Sequence, residues 1–111
     1  MDPRLRSANA LTHPLEHTAY QADDVISGEP TVGSHALGVV GEVEVGLWEM
    51  SAGVARDTEV DEVFVVLSGA GSVEFEDGEV IELAPGVVVA LAAGERTVWS
   101  ITAPLRKVYV A

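Results

Sequence analysis

From Ala36 onward the chain is a succession of short, valine-rich apolar runs, each cut off by Gly, Pro or Asp-Gly. Runs of this length, too short for a helix and bounded by turn residues, read as strands. Within Val39 to Met50 the order Glu42-Val43-Glu44-Val45-Gly46-Leu47-Trp48-Glu49 has a period of two, so Val43, Val45 and Leu47 share one face and Glu49 continues onto it. Val63 to Leu67 and Val87 to Leu91 are apolar on both faces, as expected of strands covered on both sides. Ser72 to Glu76 alternates, with Val73 and Phe75 opposite Glu74 and Glu76. Asp77-Gly78 is expected to supply the positive-φ pair of a two-residue hairpin turn into Val80 to Leu83. Pro85-Gly86 breaks the chain, Ala93-Gly94 turns it, and Thr97 to Thr102 and Leu105 to Val110 complete the set. No stretch carries a sustained helical period. The expected class is therefore all-β, a sandwich or a barrel. Immunoglobulin-type packing is disfavoured because its cysteine pair is missing.

Residues 1–35 differ in character. They hold all three histidines, His13, His17 and His35, and few apolar clusters, so they read as an arm that docks on a barrel formed by residues 36–111. Gly28-Glu29-Pro30 looks like the main turn of the arm. The first residues lack the apolar core of a signal peptide, and the longest apolar run, Leu83 to Gly94, falls short of the ~20 residues of a spanning helix. With 18 acidic against 6 basic side chains the formal charge is -12, which argues against nucleic acid and against an anionic membrane surface as partners. No cysteine is present, so disulfides, thiolate nucleophiles and zinc ribbons are ruled out, and the cytoplasm is the expected location.

Gly53, Glu62 and Gly69, followed by Gly86, Ala92-Ala93-Gly94, Thr97 and Ile101, are spaced like the fixed points of the two cupin motifs. The motif histidines are replaced. Their places fall on Ala55 and Asp57, or on Arg56 and Thr58, in the first motif, and on Thr97 in the second. The runs Gly46 to Gly53, Glu62 to Gly69, Trp99, and Leu105 to Val110 narrow the resemblance to the cupins that include the ethanolamine-utilisation type and the ureidoglycine aminohydrolase cupin domain. The resemblance covers about residues 40–111 and implies a jelly-roll barrel, commonly paired as a homodimer. Where the family usually has Asp after Pro85-Gly86, this chain has Val87.

In that register Glu62, Phe64 and Val66 face the barrel interior from one strand and Thr97, Trp99 and Ile101 from another. Imidazoles suit a transition metal. A set of one glutamate, an aspartate and a threonine does not, so no metal or other cofactor is expected. Glu62 is the candidate acid or base, since an apolar barrel raises a carboxyl pKa; its structural alternative is a bond to backbone or to Arg56. Trp99, Thr97, Phe64, Trp48, Glu49 and Asp57 are the candidate ligand contacts, with the parity of Trp48 against Glu49 left open. Asp57 and Glu59 to Asp61 read as a solvated, charged loop edge, with a place at the rim of the pocket as the alternative, and Arg106 and Lys107, on opposite faces of the last strand, as salt-bridge partners. His13 and His17 are four apart, but Pro14 makes a shared metal awkward. Two functions follow. One is a small-molecule-binding barrel with its pocket around Glu62, Thr97 and Trp99. The other is a cupin enzyme acting on a small nitrogenous or carboxylated metabolite by acid/base chemistry at Glu62, with at most a loosely held divalent metal.

Overall fold

The computed structural model describes residues 3–111; Met1 and Asp2, the start of the expected arm, lie outside the described residues. The strands are β1 (Thr18–Ala19), β2 (Val25–Ser27), β3 (Thr31–Val40), β4 (Val43–Met50), β5 (Gly53–Thr58), β6 (Glu62–Phe75), β7 (Val80–Leu83), β8 (Val88–Leu91) and β9 (Arg96–Val110). A 3-10 turn, Ala22–Asp24, precedes β2. Among the described residues no helix is long and apolar enough to cross a membrane.

Two long strands, β6 and β9, pair antiparallel and organise the rest. The second half of β9, Leu105 to Val110, lies between β4 and the first half of β6, with β3, β1 and β8 extending that layer. The first half of β9, Arg96 to Ile101, lies between β5 and the second half of β6, with β2 and β7 extending the other layer. The sheet thus folds over on itself into a jelly-roll barrel. The sequence pattern suggested four strands where these two run. Gly69 and Gly71 bend β6 instead of ending it, and the pairing register slips between Val66 and Gly71. A Cβ on Gly69, whose φ is +96°, would stand 2.1 Å from the Pro104 carbonyl oxygen, and one on Gly71 2.3 Å from that of Ser100, so only glycine lets the bent strands approach so closely.

The hairpin after β6 also differs from expectation. Gly78 alone takes a positive φ, 92°, and its N–H donates to the Phe75 carbonyl at 3.0 Å, while Asp77 accepts the Glu79 N–H. At Pro85-Gly86 the Val87 N–H reaches the Ala84 carbonyl at 3.0 Å with Gly86 at φ 92°, a type II turn that needs no aspartate after it.

Phe64, Val66, Val73, Leu83, Trp99, Ile101 and Leu105 fill the space between the layers. On β4 the inward residues are Gly46, Trp48 and Met50, placed opposite Tyr109, Lys107 and Leu105 of β9. Val43, Val45, Leu47 and Glu49 therefore form the outer face. Leu47 is nonetheless fully buried. It pairs with His35, on which the arm residue His13 stacks at 4.7 Å. Of residues 1–35, the segment 31–35 is the start of β3, and β1 and β2 join the sheet as edge strands. Val63 and Val88 are 47% and 64% exposed, so the two strands expected to be covered on both sides are open on the outside.

Candidate functional site

Lys107 stands at the centre of the inward-facing polar residues. Alternation along β9 turns Leu105, Lys107 and Tyr109 inward, and Lys107 is 4% exposed. Its ammonium lies 2.6 Å from Glu62 Oε2 and 4.3, 4.6 and 4.9 Å from the ring centroids of Phe64, Trp48 and Trp99. Rings of this kind attract a cation through their negative faces. Glu62 thus bonds to Lys107, not to backbone or Arg56.

Glu59 was expected on a solvated loop edge, but it is 7% exposed and reaches into the barrel. Its backbone is fixed there, with the N–H on the Glu95 carbonyl and the C=O accepting from Gly94 N–H. Thr97 Oγ1 donates to Glu59 Oε2 at 2.7 Å, and Trp99 Nε1 donates to the same oxygen at 3.0 Å and to Thr97 Oγ1 at 3.1 Å. Trp48 packs 5.5 Å from Trp99 and continues the aromatic wall. Glu44 closes one side by accepting the Tyr109 hydroxyl at 2.6 Å. Burial, then that bond and the Glu44 charge, push the Tyr109 hydroxyl up to about 12.

These groups line a cavity of about 410 Å³, into which Glu62, Trp99, Trp48, Lys107, Glu59 and Asp57 project. Thr97 touches it through Glu59, and Phe64 lies beneath the ammonium. Asp57, paired with Thr97 across β5 and β9, sits at the mouth. Desolvation, then the Glu59 charge, push its carboxyl up to about 6, against the opposing pull of the Thr58 N–H and Lys107. Burial, then the charges of Asp57, Asp24 and Glu59, raise the Tyr20 hydroxyl well above its ordinary range. A broader groove of about 610 Å³ starts at Asp57 and Thr97 and runs past Arg56, Arg96 and Glu74, carrying charges of both signs.

Glu49 is not in the cavity. It faces outward, where Arg106 Nε donates to Oε2 at 2.8 Å and His17 Nε2 meets Oε1 at 2.8 Å. Arg106 Nη1 also donates to the carbonyls of Ala10 and His13. His13 Nδ1 meets Ser7 Oγ at 2.9 Å, so His13 and His17 have separate partners, not a common one. Lys107 is the salt-bridge partner that sequence reasoning expected, but its place at the centre of the cavity, and the burial of Glu59 beside it, were missed. Lys107 carried a usable signal, since it interrupts the apolar face of Leu105 and Tyr109. Glu59, outside any strand, carried none.

Of the two placements of the first-motif histidines, Ala55 and Asp57 pair with Trp99 and Thr97 on β9, and Arg56 and Thr58 with Val98 and Arg96. Among the described residues no three His, Cys, Asp or Glu side chains are grouped to hold a metal ion. With an ammonium beside Glu62 and no imidazole opposite, the donor set does not fit a divalent ion.

No curated protein matches the chain. Among solved structures it resembles a protein of unknown function from Pseudomonas syringae pv. tomato, with TM-score 0.77 and 20% identity over 89% of this chain and 44% of that one. The chain thus spans less than half of that protein. It also resembles the EutQ protein of Clostridium difficile, with TM-score 0.64 and 20% identity over 84% of this chain and 78% of that one. Ectoine synthase from P. lautus gives TM-score 0.64 and 21% identity over 81% of this chain and 69% of that one. Residues 37–109 match the EutQ-like cupin domain, and the chain belongs to that family.

Proposed function

We propose that the barrel binds a small molecule in the cavity beside the Lys107–Glu62 pair, without a resident metal. The observation that carries this reading is the desolvated ion pair at the base of an open cavity, walled by two indoles and a buried carboxylate. Buried charges are costly unless paired, and here the pairing leaves a polar, preorganised wall that a ligand meets without rearranging it. Trp48 and Trp99 supply flat apolar surface, and Glu59, held by Thr97 and Trp99, supplies a fixed acceptor.

A catalytic reading is favoured by the place of Asp57 on the cavity wall beside Glu59, where desolvation and the Glu59 charge push its carboxyl up to about 6. A group titrating near neutrality can take and return a proton. The acid/base role then belongs to Asp57, since Glu62 is engaged with Lys107.

Tryptophan fluorescence tests the site. Titration with a panel of small amines, amino acids and carboxylates should give a saturable change with at least one compound. Because the indoles are 5.5 Å apart, Trp48→Phe and Trp99→Phe should each reduce the amplitude. A panel that moves neither fluorescence nor melting temperature would remove the binding reading.

The outer face suits a second copy of the chain. Val63, Val110 and Val45 form one row across β6, β9 and β4, and Val63 and Val110 are 47% and 42% exposed. An apolar sheet face of this kind pairs readily about a two-fold axis. Sedimentation equilibrium should give a dimer at micromolar concentration that Val63→Glu converts to a monomer; a monomeric parent would refute the pairing.

A further inference from the structure

The charges on the cavity wall specify more than a small molecule, provided that the cavity is the binding site argued above. We propose that its ligand is an organic cation bearing N–H donors, an amine, amidine or guanidine, whose charged end sits on Glu59 beside the Trp48 and Trp99 wall.

Among the described residues four side-chain carboxylates line the cavity, those of Glu44, Asp57, Glu59 and Glu62, and Lys107 is the one lysine or arginine on it. That cation is already paired with Glu62. Three acidic groups therefore remain for whatever enters, and the lining carries a net negative charge that disfavours an anion. Glu59 gives the second, independent observation. Both hydrogen bonds to its side chain go to Oε2, and among the described residues nothing donates to Oε1, although the residue is 7% exposed. Among the described residues no fully enclosed side-chain oxygen lacks a partner, so Oε1 is not sealed off, and Glu59 lines the cavity. A held carboxylate oxygen with a free lone pair, next to indole faces, asks for an N–H cation. Lys107 shows that the same rings accept an ammonium at 4.6 and 4.9 Å. A divalent metal is a poorer fit, because the carboxylates stand apart on the walls and do not converge.

Asp57 adds a pH dependence. The charged groups facing it are Glu59 and Asp24, which oppose its ionisation, and Lys107, which favours it; the Tyr20 hydroxyl is also close enough to feel its charge. As pH falls through about 6 the carboxyl takes up its proton and the attraction for a cation weakens.

The test is a fluorescence titration of the full chain, at constant ionic strength, with butylammonium, tetramethylammonium and butyrate. Butylammonium should saturate; tetramethylammonium, a cation without N–H, should bind more weakly; butyrate should not bind. Glu59→Gln should weaken butylammonium about ten-fold or more, the loss of one charge-assisted hydrogen bond. Asp77→Asn, an acid on the distant hairpin turn, should change nothing, which separates the site from the general surface charge. In the parent chain, which needs no variant to fold, affinity for butylammonium should drop between pH 7 and pH 5. Butyrate binding with butylammonium silent would overturn the cation assignment and leave the cavity intact. Silence from all three probes would overturn both. Saturable butylammonium binding that is indifferent to pH and to Glu59→Gln in a folded variant would overturn the seat on Glu59.

Discussion

Lys107→Met should lower the stability of the barrel by about 3–5 kcal/mol, the usual cost of breaking a buried ion pair by removing one partner. The side chains of Lys107 and Glu62 are 5% and 11% exposed, so the carboxylate left behind has little water to replace the ammonium. Methionine suits the cage sterically, because its thioether packs well against Phe64, Trp48 and Trp99. The loss would therefore reflect the orphaned Glu62 and not a hole. The double variant Lys107→Met with Glu62→Leu should recover most of it, since an apolar pair of similar volume is often neutral against a buried ion pair. Urea unfolding midpoints of the parent, both single variants and the double variant close the cycle. At about 4–8 °C per kcal/mol for a domain of this size, the Lys107→Met loss is also large in a thermal melt. A Lys107→Met variant within about 0.5 kcal/mol of the parent would show that the pair is not desolvated in solution. A double variant as unstable as the single would show that the cage depends on the ammonium itself. If the cycle closes as expected, the pair adds little net stability over an apolar one, and binding supplies a reason to keep it.

Much of this arrangement was legible before any coordinates. Alternation grouped Glu62, Phe64 and Val66, and Thr97, Trp99 and Ile101, and the resemblance to the cupin register implied that these groups face the interior; the structure puts them there because each strand has one face that meets the opposite layer. The parity of β4 was not legible. Both of its faces are apolar, one because it faces the barrel and the other because the arm covers it, and a period of two says which residues share a face without saying which face is inside. The continuity of β6 and β9 was hidden for a related reason. Gly69-Ala70-Gly71 looks like a turn by composition, and the close approach to Ser100 and Pro104 that demands glycine is a tertiary fact. Glu59 shows the same limit. Its burial depends on Gly94 and Glu95, far along the chain, gripping its backbone, which no local pattern records.

The arm gives the second large effect. Glu49→Ala should cost about 3 kcal/mol and free the arm, because it removes the carboxylate that joins Arg106 to His17. Arg106 is 6% exposed, and without Glu49 its charge would be held only by the Ala10 and His13 carbonyls. Gly33 makes the fit exacting, for a Cβ there would lie 2.6 Å from the Glu16 carbonyl oxygen, so the arm runs directly on β3. Limited proteolysis and amide exchange should show residues 7–20 opening in Glu49→Ala while Leu105 to Tyr109 stay protected. The pH dependence has a definite sign. Burial pushes the Glu49 carboxyl up, but the hydrogen bonds from Arg106 and His17 outweigh it and hold the group below its ordinary range. A carboxyl depressed by folding contributes stability above its unfolded pKa and loses it as pH falls through the folded value. The gap between parent and Glu49→Ala should accordingly be full at neutral pH and shrink below about pH 4. An arm equally protected in both chains, or a gap that widens in acid, would mean that backbone pairing through β1 and β3 holds the arm and that the Arg106 cluster is incidental to it.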